Sequence, residues 1–156
     1  MTESTMLDDR DRAILRTLQQ DGRATNLDVA KRANLSESAC FRRTRALEQA
    51  GVITGYTGRI DQRKVGLGLD VFLQVTLASQ AETALAAFEE AAARVPQIME
   101  CYLMTGEADY LVRVVMPDIG AFEALHSNVI TRLPGVVHVT SSIALRTAVR
   151  RAELPL

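Results

Sequence analysis

The chain has 156 residues, enough for one ordinary domain or two small ones. Its 47% apolar and 24% charged residues are ordinary for a soluble globular protein, and a formal charge of −1 does not by itself point to a nucleic-acid partner. No apolar run reaches transmembrane length, two cysteines (Cys40, Cys101) build no disulfide framework, and two histidines in different expected elements make a His-rich metal site unexpected.

The N-terminal segment lacks the basic and apolar regions of a signal peptide, so a cytoplasmic protein with free thiols is expected. A first helix is predicted over 8–21, with Asp8, Asp9 and Asp11 enriching its start and Gly22 ending it. A second runs from Asn26 to Ala33, capped by Thr25 with Asp28 three residues on. Asn34 suits a left-handed turn, Ser36 caps a third helix over 37–50, and Gly51 stops it. Cys40, Thr44 and Leu47 form its inner face; Ser38, Arg42, Arg45 and Gln49 face outward, with Arg43 on the flank. Residues 52–60, with Gly55 and Gly58, suggest a short β-hairpin or wing, and 61–70 a linker.

Beyond the linker the pattern alternates. A strand is predicted over 71–78, a helix over 81–94 closed by Pro96, strands over 98–105 and 110–116, a helix over 118–131, and a last strand over 136–146. The order β-α-β-β-α-β is that of a ferredoxin-like sandwich. The β-branched segments 71–77 and 111–116 read as apolar on both faces or nearly so, so the face not covered by helices calls for a partner. The fold class is therefore α+β, with a winged helix-turn-helix domain over 1–60 and a ferredoxin-like domain over 71–156. Residues 1–60 carry ten Lys/Arg against eight Asp/Glu, and 61–156 eight against eleven, consistent with modules that meet different partners.

The second helix of a helix-turn-helix enters the DNA major groove, where arginine reads guanine O6 and N7 or neutralises phosphate. Arg42, Arg43 and Arg45 supply that chemistry, and Ser36 and Ser38 at the helix N-terminus suit a phosphate. Cys40 and Cys101 are read as core packing, and Glu90 with Arg94 as a surface pair. No nucleophile–base pair, metal spacing or phosphate-binding glycine loop stands out, so no catalytic residue, metal or cofactor is expected.

An ordered set of residues then points to a family. Leu7-Asp8, Asp11, Ile14-Leu15, Leu18-Gln19, Asp21-Gly22-Arg23, Leu35-Ser36, Cys40, Arg43, Arg45, Leu47-Glu48 and Gly51-Val52-Ile53-x-Gly55-Tyr56-Thr57 are followed by Glu100-Cys101, Leu103, Gly106, Asp109-Tyr110-Leu111, Pro117-Asp118 and Leu133-Pro134-Gly135-Val136. Over residues 6–147 the chain resembles the Lrp/AsnC (leucine-responsive, feast/famine) transcriptional regulators. The resemblance implies double-stranded DNA as partner, a sheet-to-sheet homodimer that commonly assembles to an octamer, and an amino-acid effector bound between subunits. It also implies a pocket at the hairpin loop, completed by the last strand of a neighbouring subunit; at 105–109 Thr105 and Gly106 can offer donors, Asp109 either holds the ligand ammonium or only caps the turn, and Thr140 and Ser142 stand on that last strand. Where some relatives carry an aromatic, this chain has Ser142, which argues against leucine itself as effector. Two other readings are a ligand-independent, DNA-wrapping architectural protein and a metabolic enzyme on a ferredoxin-like domain.

Overall fold

The structure, a computed structural model, describes residues 7–156. Residues 1–6, at the head of the expected 1–60 domain, lie outside the described residues. The chain divides into two compact units: the described residues up to Arg59 together with Ala148–Leu156, and Ile60–Thr147.

The first unit is helical: α1 (Asp9–Gln20), α2 (Asn26–Ala33) and α3 (Glu37–Gln49). Each begins at an oxygen-bearing cap that satisfies a first-turn N–H group. Asp8 and Asp11 form a reciprocal capping box at α1, Thr25 Oγ1 accepts from the Asp28 N–H at α2, and Ser36 Oγ accepts from the Ala39 N–H at α3. Asn34 closes α2 in the left-handed conformation, φ 54° and ψ 55°. At the end of α3, Gly51 takes φ +69° so that the Val52 and Gly51 N–H groups reach the Leu47 and Glu48 carbonyls. Ile14, Leu15, Val29, Ala30, Ala33, Cys40 and Leu47 are buried together as the core.

The expected wing hairpin is not formed as strands: residues 52–60 carry no β-structure. Val52 and Ile53 instead pack on the helical core, and the Tyr56 hydroxyl donates to Glu48 Oε1 at 3.0 Å. A two-stranded hairpin with no third strand to pair with has little independent stability. The tail also departs from the expected boundary at 156. Leu156 packs on the helical core and the Leu154 backbone exchanges two hydrogen bonds with the Gln19 side chain, so the tail belongs with the first unit.

The second unit holds β1 (Leu69–Leu77), α4 (Glu82–Ala93), β2 (Ile98–Leu103), β3 (Tyr110–Met116), α5 (Ile119–Asn128), a 3₁₀ turn (Ile130–Arg132) and β4 (Val136–Ile143). The sheet order is β2-β3-β1-β4, all neighbours antiparallel, as βαββαβ requires. β1 begins two residues inside the expected linker, and β4 stops three residues short of the expected end. The helix predicted to reach Thr131 breaks at Val129, where three β-branched residues in a row weaken the last turn.

One face of the sheet is apolar and covered. Val71, Leu73, Val75, Leu77, Tyr110, Val112, Val114 and Met116 are buried with Phe88 and Ala92 of α4 and Phe122 and Leu125 of α5. The other face is not the apolar surface the sequence suggested. The face is mixed: the register sets Phe72, Leu111, Val115 and Tyr102 among Gln74, Thr76, Thr140, Ser142 and Glu100. Arg113 on that face is only 8% exposed, paired with Asp70 at 3.0 Å and Glu100 at 3.3 Å. Alternation places these side chains opposite the core, a distinction that composition alone does not make.

Candidate nucleic-acid interface and ligand site

Cys40 and Leu47 fix the rotation of α3 by entering the helical core. With 3.6 residues per turn, Ser38, Phe41, Arg42 and Arg45 then fall on the outer surface, and all four are solvent-accessible. Ser36 and Ser38 stand at the N-terminus of α3, their hydroxyls 3.3 Å apart, on a helix end whose dipole favours an anion.

The three arginines of α3 differ in their intramolecular partners. Arg43 turns toward α1, and its Nη1 lies 2.8 Å from both Asp8 Oδ2 and Asp11 Oδ1, the carboxylates that form the capping box. The α1 cap and the α1–α3 clamp thus share two carboxylates. Asp8 is held below the ordinary carboxylate range by the Asp11 N–H and, after it, by Arg43. Arg43, expected as a DNA contact, is tied within the helical unit by this clamp, with its side chain still 34% exposed. Arg45 lies with its guanidinium carbon 5.6 Å from the Phe41 ring centroid and Nη1 3.4 Å from Glu48 Oε2, on a side chain 63% exposed. Arg42 is exposed and makes no side-chain hydrogen bond or ion pair to the described residues.

Phe41 escapes sequence reasoning that follows charges. The signal is present: it lies three residues after Ser38 and four before Arg45, and it is 56% exposed. It borders a 380 Å³ cleft with Asn26, Thr44, Arg45, Glu48 and Tyr56.

In the second unit, β2 and β3 are joined through 104–109, and Gly106 there takes φ +140°, a conformation that side chains resist. Thr105 and Gly106 are exposed in this loop. Asp109 is not. It is 5% exposed; Oδ2 accepts from the Leu77 N–H at 2.7 Å and Oδ1 from Gln80 Nε2 at 2.7 Å. The Asp109 N–H bonds the Val75 carbonyl, and the Asp109 carbonyl takes the Met104 N–H. The carboxylate therefore pins the hairpin to the end of β1, the structural alternative to its role as ammonium holder. Glu107 is the exposed carboxylate of the loop.

Thr140 and Ser142 are exposed on the open face of β4, opposite Gln74 and Phe72. β2 and β4 are the two edges of the sheet, and β1 lies between β4 and the hairpin that carries the 105–109 loop.

The thiols divide. Cys40 is buried in the helical core, whereas Cys101 is exposed on edge strand β2, corrected from core packing. It borders a 390 Å³ cleft with Glu89, Leu103 and Tyr110 between α4 and β2. Partial shielding from water in this cleft, and after it Glu89, pushes the Cys101 thiol up although the residue as a whole is exposed. Glu90 and Arg94 pair along α4 as expected. Among the described residues, no three His, Cys, Asp or Glu side chains cluster as a metal site, and no helix is long and apolar enough to cross a membrane.

Comparison with known proteins agrees with both units. A family described as "Winged helix-turn-helix DNA-binding" matches residues 7–54, and one described as "Lrp/AsnC ligand binding domain" matches residues 70–154. The Bkd operon transcriptional regulator of Pseudomonas aeruginosa is 41% identical over 150 residues, covering 96% of this chain and 98% of that protein. A transcriptional regulator of Neisseria meningitidis, solved as its L-Met complex, superposes with a TM-score of 0.90 at 33% identity, covering 96% of this chain and 97% of the other. An AsnC family regulator of Agrobacterium tumefaciens has the same TM-score at 36% identity over 96% of this chain and 97% of its own.

Proposed function

This chain belongs to the Lrp/AsnC family of DNA-binding transcriptional regulators, and we propose that an amino acid or related small metabolite sets the assembly through which it holds its DNA. The relatives matched are regulators rather than enzymes, and the chain carries their ligand-binding domain. The observation that carries the DNA part of the reading is the division of α3: Cys40 and Leu47 inward, Arg43 tied to α1, and Ser38, Arg42 and Arg45 outward. Ser36 and Ser38 take a phosphate at the helix N-terminus, and Arg42 and Arg45 reach base edges or phosphates. In a homodimer two such helices meet half-sites one helical turn, or a multiple, apart.

The effector lies between subunits. Thr105 and Gly106 receive its carboxylate, and Thr140 and Ser142 approach from a neighbouring chain. With Asp109 spent inside the fold, Glu107 is the carboxylate left to face an ammonium group. The Neisseria relative's complex with L-Met supports an amino acid as the ligand class. Such a ligand changes DNA binding only if it binds two assemblies, dimer and octamer for example, with different affinity.

An electrophoretic shift of the full chain on the DNA upstream of its own gene, with light scattering in parallel, tests both parts. The expected result is a retarded complex whose midpoint or mobility changes with at least one amino acid, accompanied by a change in particle mass. Absence of any complex overturns the reading. A complex indifferent to every amino acid overturns the effector part and leaves an architectural DNA-binding protein.

A further inference from the structure

Phe41 is an aromatic ring 56% exposed on the outer surface of α3, within one helical turn of Ser38 and Arg45. The ring borders a cleft that Leu18, Val29 and Tyr56 also line, yet more than half of it stays exposed on a polar surface. Cys40 beside it shows that the same helix buries an apolar group wherever the core can take it. The Arg45 guanidinium carbon lies 5.6 Å from the ring centroid, so the ring and the cation are presented as one unit.

In the major groove the apolar feature of a base edge is the thymine C5 methyl, and the double acceptor that arginine reads is guanine O6/N7. We propose that Phe41 is a specificity-determining residue that packs on a thymine methyl beside the base read by Arg45, giving each half-site a required T next to a G. This rests on the reading that α3 enters the major groove. The competing roles for the ring are to position Arg45 alone or to hold a protein partner.

The test uses the full chain and a duplex selected by it from a random pool. Each thymine of the selected site is replaced in turn by deoxyuridine, which removes only the methyl. Anisotropy titrations then compare wild type, Phe41→Ala and Phe41→Leu. Burial of one methyl predicts that one replacement per half-site weakens wild type about four-fold. The same replacement should leave Phe41→Ala unchanged, and Phe41→Leu should keep part of the penalty. The proposal is overturned if Phe41→Ala retains the full penalty, whatever its overall affinity, since the ring then only positions Arg45. It is equally overturned if no thymine replacement affects wild type. A chain that selects no sequence at all contradicts the groove reading itself, a failure visible before any variant is made.

Discussion

In the helical unit, ionic groups lie at helix ends and on the outer surface; in the sheet unit, two of them are buried inside the architecture. Arg42 and Arg45 reach solvent from α3, whereas Arg113, the same residue type on β3, is held by Asp70 and Glu100 and is 8% exposed. Asp109, in a loop whose composition suits a ligand, accepts two hydrogen bonds from its own chain. Arg43 shows the division within a single helix, one residue from Arg42 yet bound to two carboxylates at the start of α1. Residue type and spacing therefore name the chemistry available. The number of intramolecular partners decides whether that chemistry serves the fold or is free for a ligand.

The cores differ as well: fourteen side chains are buried together in the sheet unit against seven in the helical unit, among the described residues. The largest effect predicted is accordingly in the sheet. Phe88→Ala removes a fully buried ring that packs on Tyr110 at 4.5 Å and should cost about 3–5 kcal/mol. Hydrogen exchange followed by mass spectrometry should show faster exchange across β1, β3 and α4 while α1–α3 keep their protection. Equal loss in both units would break the comparison.

Asp109→Asn comes next. One of its two acceptor positions becomes a donor facing the Leu77 N–H or Gln80, at a cost of about 2 kcal/mol. The melting temperature should fall, and the loop should loosen against β1. A variant of undiminished stability that has lost only its ligand response would return Asp109 to the effector site. Smaller still is Arg43→Ala, expected to cost up to about 1 kcal/mol because the pair is part-exposed. It should lower the melting temperature while changing the salt dependence of DNA binding little.

The weakest effect is the pH dependence, and it separates the units by sign. Asp8 titrates below its ordinary value of 3.8 in the folded helical unit, because the Asp11 N–H and then Arg43 favour its charge. Its contribution is present above that value and is lost as pH falls through the lower folded one. Tyr110 is shifted the other way, by burial and then by the Glu89 carboxylate that accepts its hydroxyl at 2.8 Å. The sheet unit's contribution is therefore complete below the ordinary phenol value of 10.0 and is lost as pH rises beyond it. Melts at both extremes should be less affected in Asp8→Asn on the acid side and in Tyr110→Phe on the alkaline side.

Much of the architecture is legible in the sequence because its signals are local. Thr25, Ser36, Asn34 and Gly51 each act within one turn of a helix, and the βαββαβ order follows from alternation and from breakers such as Pro96 and Pro117. The partners that sequence reasoning does not reveal are residues distant along the chain. Arg43 meets carboxylates 32 and 35 residues away, and Asp109 meets an N–H 32 residues back. Cys101 is exposed because its strand is a sheet edge, which only the strand order reveals. Segment 52–60 has the glycines of a hairpin but no strand to pair with, and Phe41 is missed when a helical face is judged by its charges alone.

The central claim is that α3 meets DNA through Arg42 and Arg45 while Arg43 holds the helix in place. Anisotropy titrations on the upstream DNA over a series of salt concentrations test it most directly, with wild type, Arg42→Ala, Arg45→Ala and Arg43→Ala compared. Removing an arginine that neutralises one phosphate should flatten the slope of log K against log salt by about one, and removing one that reads a base should lower affinity for the selected site by about 1–3 kcal/mol. The account predicts one or the other for Arg42→Ala and for Arg45→Ala, and neither for Arg43→Ala. Unchanged affinity and slope in the first two, or a flattened slope in the third, would contradict it.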